Sequence, residues 1–237
     1  MSKLYGDWGS LHSLINNAKY EAVVLFSGGV DSTVVATMMA RAGVNAILIF
    51  VHTGVQTHED AAIKIAKVLQ FPLVTMDLRK VFGVVRDATT PYVAGYRLWL
   101  YLAAVSAADH FSAFTIYTGE VAFPDDKTNE DWRADCSGSN DITQEAWRKN
   151  RQRFIELYSD MYENQSDAYD FVDPLWGLSK AQIVKLGKAL GAPLELTSSC
   201  QSRTLDRLSK KNCGICWACK SRIRAGVEEN DDQKTKS

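Results

Sequence analysis

Apolar residues along this chain gather into short unbroken runs, separated by longer stretches with helical periodicity. Ala22-Val23-Val24-Leu25-Phe26 is the first run and Ala46-Ile47-Leu48-Ile49-Phe50-Val51 the second. Leu73 to Leu78 and Ala113 to Gly119 follow as a third and a fourth. Near-continuous apolar character over a few residues suits strands buried on both faces of a parallel sheet. Helical patterns lie between them: Thr33 to Arg41, about His58 to Leu69, and a long one from about Gly95 to His110. In the first of these, Val34, Val35, Met38 and Met39 form an inward stripe, and the methionine pair reads as core filler. The alternation predicts an α/β chain with a doubly wound parallel sheet and ligands at the carboxyl ends of its strands. Ser27, His52, Asp77 and Glu120 all fall at such ends.

The pattern is less regular elsewhere. Residues 1–20 carry a weakly amphipathic segment, with Leu11, Leu14 and Ile15 expected to pack on the first strand. From Phe123 to Asn140 the chain turns polar and reads as a long loop over the active face. A helix from about Thr143 to Tyr162 precedes Asp173-Pro174-Leu175-Trp176. The next helix runs from Ser179 to Leu190, capped by Ser179 and ended by Gly191. These divisions place a catalytic domain over residues 1–195, a cysteine-bearing segment over 196–226 and a frayed, acidic then lysine-bearing tail over 227–237.

Composition narrows the function classes. The chain has 237 residues, 46% hydrophobic and 23% charged, which is the profile of a globular protein. A net charge of −1 gives no general attraction to polyanions, so nothing points to nucleic acid. The most apolar stretch, Leu98 to Ala108, is too short for a bilayer, and the N-terminus lacks the blocks of a signal peptide. Cytoplasm is the expected setting. Four of the five cysteines crowd into the last forty residues, which in that setting suggests a metal site rather than disulfides.

Two stretches carry chemistry. Ser27-Gly28-Gly29-Val30-Asp31-Ser32 follows the first apolar run, beginning at Phe26, and opens a helix. Glycines let a backbone curl around an oxyanion, while exposed amides and the helix dipole supply partial positive charge. Ser27 and Ser32 add hydroxyls, and Asp31 can hold a metal against the anion. No lysine follows the glycines, so this is not the G-x-x-x-x-G-K-S/T loop. The second stretch, Cys213-Gly214-Ile215-Cys216-Trp217-Ala218-Cys219 with Cys200 upstream, offers four thiolates for a closed tetrahedral site. Zinc is the preferred ion, although C-x-x-C-x-x-C also fits an iron–sulfur cluster. Cys136 stands apart, either inert or a catalytic thiol; His12 and His110 read as surface or core residues.

The six-residue loop resembles the S-G-G-x-D-S loop of the N-type ATP pyrophosphatases, which grip the pyrophosphate of ATP. With the cysteines at the other end, residues 20–226 resemble the 7-cyano-7-deazaguanine synthase (QueC) family. Further matches are Leu196-Thr197-Ser198-Ser199-Cys200, the segment His52 to Glu59, Leu178 to Val184 and Arg222. The resemblance implies a Rossmann-like, adenine nucleotide alpha hydrolase-like fold with structural zinc, often as a homodimer. It also implies activation of 7-carboxy-7-deazaguanine by ATP and Mg²⁺, then displacement of AMP by ammonia to give the amide and finally the nitrile. On this reading Phe26, Ser27, Gly28, Gly29, Val30, Asp31 and Ser32 hold ATP, flanked by His52 and Asp77. Asp31, Lys180, Glu120 and Asp135 are the catalytic candidates, though Lys180 reads equally as a solvated helix lysine. Gln56, His58, Glu59, Arg97, Gly119 and Glu120 are placed on the substrate side, and Cys200, Cys213, Cys216 and Cys219 on the metal. Two stretches differ from the family pattern: Tyr92 to Arg97 replaces a Val-Pro-Gly-Arg-Asn run, and Phe123 to Cys136 replaces a Tyr-Pro-Asp-Cys loop. They motivate a second reading, transfer of the activated acyl group to an amine on a protein or nucleic-acid partner. A third reading is an inactive nucleotide-binding scaffold, which the intact loop disfavours.

Overall fold

The computed structural model describes residues 19–54, 56–85, 96–121, 144–161, 169–200, 212, 214 and 216–227. The expected N-terminal segment, the loop of Asp135 and Cys136, Cys213, the tail and the side chain of Gln56 lie outside the described residues. Five strands form one parallel sheet: β1 (Ala22–Leu25), β2 (Ala46–His52), β3 (Leu73–Asp77), β4 (Thr115–Tyr117) and β5 (Asp170–Val172). Their order is β3-β2-β1-β4-β5. The chain therefore winds one way from β1 through β2 to β3 and the other way through β4 to β5. The order reverses between β1 and β4, and doubly wound sheets bind ligands in the crevice beyond the carboxyl ends of the strands at such a point.

Alternate residues of the strands face opposite layers. Ala22, Val24, Leu48 and Phe50 pack with α1 (Val30–Ala42) and α2 (Gln56–Leu69) through Val34, Val35, Ala62 and Ile65. Val23, Ile47, Ile49 and Ile116 pack on the other side against Ala104, Val105 and Ala108 of α4 (Tyr96–His110). Burial on both faces is why these strands read as unbroken apolar runs. The predicted doubly wound architecture is thus present.

Among the described strands and α-helices, three have no counterpart in the sequence reading. α3 (Arg79–Val85) is brief, β5 begins on a charged residue, and α7 (Trp217–Arg224) overlaps the cysteine motif. None has an apolar period long enough to register. α5 (Gln144–Met161) matches the expected helix, and α6 (Lys180–Leu190) has the predicted ends. Ser179 accepts from the Gln182 amide, and Gln182 returns the bond, closing a capping box. Gly191 ends α6 at φ 72°. Gly187 lets α6 press on α1, since a Cβ there would sit 2.8 Å from Val34 Cγ2.

Candidate active site at the reversal of the sheet

The first wall of the crevice is the turn after β1. Gly28 takes φ 71°, and a Cβ on it would meet the His58 carbonyl at 2.8 Å and the Ala62 amide at 2.9 Å. Only glycine fits both demands. Gly29 caps α1 in an extended conformation with no side-chain cap, so the leading amides of that helix remain available to an anion. The hydroxyls brace the turn: Ser27 Oγ and Ser32 Oγ lie 3.1 Å apart, the Ser27 amide donates to Ser32 Oγ at 3.2 Å, and the Gly29 amide donates to Ser27 Oγ at 3.3 Å.

Lys180, the first residue of α6, reaches across to this turn. Its Nζ lies 2.5 Å from Asp31 Oδ1 and 2.6 Å from Asp31 Oδ2. Both side chains are about a quarter exposed, at 28% and 26%, so the pair stands at the rim of the crevice. Two candidates separated by most of the chain are brought together here.

The second wall follows β4. Gly119 lies against α1, where a Cβ would come within 2.8 Å of the Ser32 amide nitrogen. Glu120 comes next. Its Oε1 accepts from the Tyr101 hydroxyl at 2.5 Å and its Oε2 from Arg151 Nη1 at 3.0 Å. Arg151 forks onto Asp173, with Nη1 to Oδ1 at 2.9 Å and Nη2 to Oδ2 at 2.6 Å. Thr118 Oγ1 donates to Asp173 Oδ1 at 2.6 Å and accepts from the Glu120 amide at 3.1 Å, closing the network. Burial alone would lower the Arg151 guanidinium, but its bonds to Asp173 and the charge of Glu120 hold it above its ordinary value. Burial, then the Glu120 charge, pushes the Tyr101 phenol well above the usual range, so it remains a donor.

Behind the first wall lies the cysteine segment. The Sγ atoms of Cys200, Cys216 and Cys219 all lie within 4.8 Å of one another. Tetrahedral zinc with Zn–S near 2.3 Å separates its thiolates by about 3.8 Å, so the three present fit that ion. The Cys219 amide donates to Cys216 Sγ at 3.5 Å, a bond typical of a thiolate turn. Burial pushes the Cys219 thiol up, which a bound cation would reverse. The segment is also fastened to the turn: the Ser198 amide donates to the Gly28 carbonyl at 2.9 Å, and His58 Nε2 donates to the Cys200 carbonyl at 2.9 Å. Arg222, buried on α7, donates to the Thr197 carbonyl and, at 2.7 Å, to Thr197 Oγ1.

Comparison with known proteins gives the chain its family. A family model described as "Queuosine biosynthesis protein QueC" matches residues 128–230, and one described as "Thiamine biosynthesis protein (ThiI)" matches residues 18–120. The 7-cyano-7-deazaguanine synthase of Koribacter versatilis is 32% identical, over 86% of this chain and 88% of the relative. The chain belongs to the 7-cyano-7-deazaguanine synthase (QueC) family. The "7-cyano-7-deazaguanine synthase 2" of Sulfurisphaera tokodaii is 28% identical over 90% of this chain but 46% of its own length. The chain spans about half of that relative, and 45% of the Saccharolobus solfataricus synthase. The solved NMN synthetase from Francisella tularensis superposes with a TM-score of 0.45 at 18% identity, covering 81% of this chain and 70% of that one.

The remaining candidates of this QueC-family chain are spread around the crevice. His52, buried at the end of β2, accepts from the Gly54 amide at its Nδ1, 3.0 Å away, and turns Nε2 toward Glu59 Oε2 at 3.2 Å. Burial holds the His58 imidazole below its ordinary value. Asp77 is taken up by Arg79, whose Nε and Nη2 lie 2.9 and 2.6 Å from its two oxygens. Arg97 sits on α4 one turn before Tyr101, within electrostatic reach of its hydroxyl. Tyr101, Thr118, Arg151 and Asp173 were not singled out from sequence. The strand-end position marks Thr118 and Asp173 once β5 is known; nothing local marks Tyr101 or Arg151.

Proposed function

We propose that this chain is an ATP-dependent carbon–nitrogen ligase, which adenylates the carboxylate of 7-carboxy-7-deazaguanine and couples it to ammonia. AMP and pyrophosphate are the by-products, and the amide is dehydrated to 7-cyano-7-deazaguanine in a second activation. The observation that carries this is the meeting of Lys180 with Asp31 over the open amides of α1. Together they form a cationic and metal-ready rim on a phosphate cradle.

A carboxylate is a poor electrophile until AMP becomes its leaving group. The chain must therefore hold ATP and acid together, neutralise phosphate charge and keep water out. The Ser27 to Ser32 turn holds the phosphates, with Phe26 and Val30 anchoring it in the core. Asp31 would hold Mg²⁺, which would supply charge neutralisation there, and Lys180 beside it would neutralise developing phosphate charge. His52 and Asp77 flank the adenosine. Gln56, His58, Glu59, Arg97, Gly119, Glu120 and Asp135 serve the substrate side. Cys200, Cys213, Cys216 and Cys219 would hold a structural zinc. We assign the reaction to the cytoplasm and the chain to a homodimer, which light scattering checks.

Incubation with 7-carboxy-7-deazaguanine, ATP, Mg²⁺ and ammonium should give AMP, pyrophosphate and a nitrile identified by mass. Absence of any substrate-dependent AMP would reject the proposal. The altered stretches Tyr92 to Arg97 and Phe123 to Cys136 support a second acceptor, an amine on a protein or nucleic-acid partner. Mass analysis of co-expressed partners tests that reading; an unmodified pool with efficient nitrile formation rejects it.

A further inference from the structure

The Glu120 network contains more than a buried ion pair needs. Arg151 and Asp173 alone would satisfy each other, being 4% and 0% exposed and joined by two hydrogen bonds. Yet Arg151 Nη1 is shared with Glu120, and its guanidinium carbon lies 4.9 Å from the Phe171 ring centre and 5.7 Å from that of Tyr101. Tyr101 on α4 and Arg151 on α5 thereby fix one carboxylate at both oxygens, and Asp173, just after β5, holds Arg151 in place. The Glu120 side chain is still 19% exposed. Immobilising a glutamate costs side-chain entropy, and a purely structural pair has no need of a third member left open to solvent.

Its position limits what it meets. Gly119 is pressed against the Ser32 amide and the Asp31 backbone, so Glu120 stands beside the amino end of α1. On the function proposed above, the phosphates and the acyl carbon joined to them lie there. Phosphate and carboxylate oxygens are repelled by an anion. The ring N–H groups of a deazapurine lie a ring's width from the reacting carboxyl. Mg²⁺ and the nitrogen nucleophile remain. Each Glu120 oxygen already accepts one hydrogen bond, which leaves lone pairs suited to further N–H donors, whereas Mg²⁺ needs near-octahedral oxygen ligands at about 2.0–2.1 Å and would bring twice the charge of an ammonium beside the Arg151 guanidinium.

We propose that Glu120 anchors the nitrogen nucleophile as ammonium or a protonated amine and takes one of its protons, so that the freed lone pair forms the C–N bond while AMP leaves with the acyl C–O pair; Tyr101, Arg151 and Asp173 are positioning residues that hold the carboxylate in place for it. The inference rests on the ligase reading, and the test separates the two. Amide formation is followed by mass while ammonium, the deazapurine carboxylate and Mg²⁺ are varied in turn, with thermal melts of every variant. Glu120→Gln should raise the KM for ammonium at least about tenfold more than the KM for the carboxylate. Tyr101→Phe and Arg151→Lys, which preserve shape or charge, should show the same bias at about three- to tenfold. A rise confined to the carboxylate KM would mean that Glu120 reads the base, and a rise confined to the Mg²⁺ requirement that it serves the metal. Equal losses in all three, tracking a lowered melting temperature, would reduce the network to structure. Each of these overturns the anchor while leaving the ligase intact. A parent chain that forms no carboxylate-dependent AMP overturns the ligase reading, and the anchor with it.

Discussion

On the β1 side of the crevice, polar recognition is built from backbone. Two glycines, two hydroxyls and the uncapped start of α1 lie within six consecutive residues, and an ion pair, Lys180 with Asp31, stands at the rim. On the β4 side it is built from side chains. Tyr101, Thr118, Glu120, Arg151 and Asp173 come from four elements and converge in a buried network. Backbone amides carry no net charge, so the first wall can be desolvated and rehydrated as ligands come and go. The second wall keeps formal charges in a low-dielectric setting, where each depends on its partners. For stability, as distinct from catalysis, the first is therefore most sensitive to changes of shape and the second to changes of charge.

The sharpest way to break that contrast is Asp173→Ala. It strips Arg151 of both of its bonds to Asp173 in a buried position, at an expected cost of about 3–5 kcal/mol. For a chain of this size the melting temperature should fall on the order of 10 °C. Adding Arg151→Met should recover at least about half of the loss, because it removes the uncompensated charge. Denaturant unfolding of the single and double variants measures both. No recovery in the double variant would show that packing, rather than charge, holds this wall.

Gly28→Ala is the matching probe of shape on the other wall. At φ 71°, with the His58 carbonyl and Ala62 amide closer than 3 Å to the new Cβ, it should cost about 1–3 kcal/mol. Displacing the turn by a fraction of an ångström should also lower carboxylate-dependent ATP–pyrophosphate exchange about a hundredfold. Full exchange in a folded Gly28→Ala chain would show that the turn does not position the phosphates.

The same contrast explains what could be read in advance. The turn is contiguous, so its glycines, hydroxyls and strand–helix context were visible together. The sheet was legible because β1 and β2 are buried on both faces and read as unbroken apolar runs. β5 was not: Asp170-Phe171-Val172 is three residues long and starts with a charge. Missing it hid Asp173 as a strand-end residue. Arg151 sits in α5 among Lys149, Arg153 and other charged residues, and only the tertiary fold distinguishes it from a solvated face. Lys180 was visible as a candidate, but its partner lies 149 residues away.

A smaller effect sharpens the β1 side. Ser179 caps the helix that delivers Lys180, so Ser179→Ala should destabilise the chain by about 1 kcal/mol and Ser179→Asp by much less. If Lys180 needs that helix end to reach the turn, the KM for ATP should rise modestly in the alanine variant and return to the parent value in the aspartate one. An unchanged KM at the expected stability loss would separate the cap from the site.

The smallest effect concerns the far rim, where a charge pair stands in solvent rather than in the core. Asp77 is about half exposed, and its bonds to Arg79 hold its carboxyl well below the usual carboxylate range. Because the folded value is depressed, any stabilisation is complete above the unfolded value of 3.8 and is lost as pH falls below it toward the folded value. Screening by water and salt keeps that contribution small, unlike that of the buried Asp173. Arg79→Ala should therefore return the Asp77 midpoint toward 3.8, followed by NMR of the side-chain carboxyl carbon, with little change in stability at neutral pH. In the parent chain the same carbon should still report a carboxylate at the lowest pH at which the chain stays folded. A stability loss at neutral pH as large as that of Asp173→Ala would mean that exposure does not set what these two charge pairs contribute.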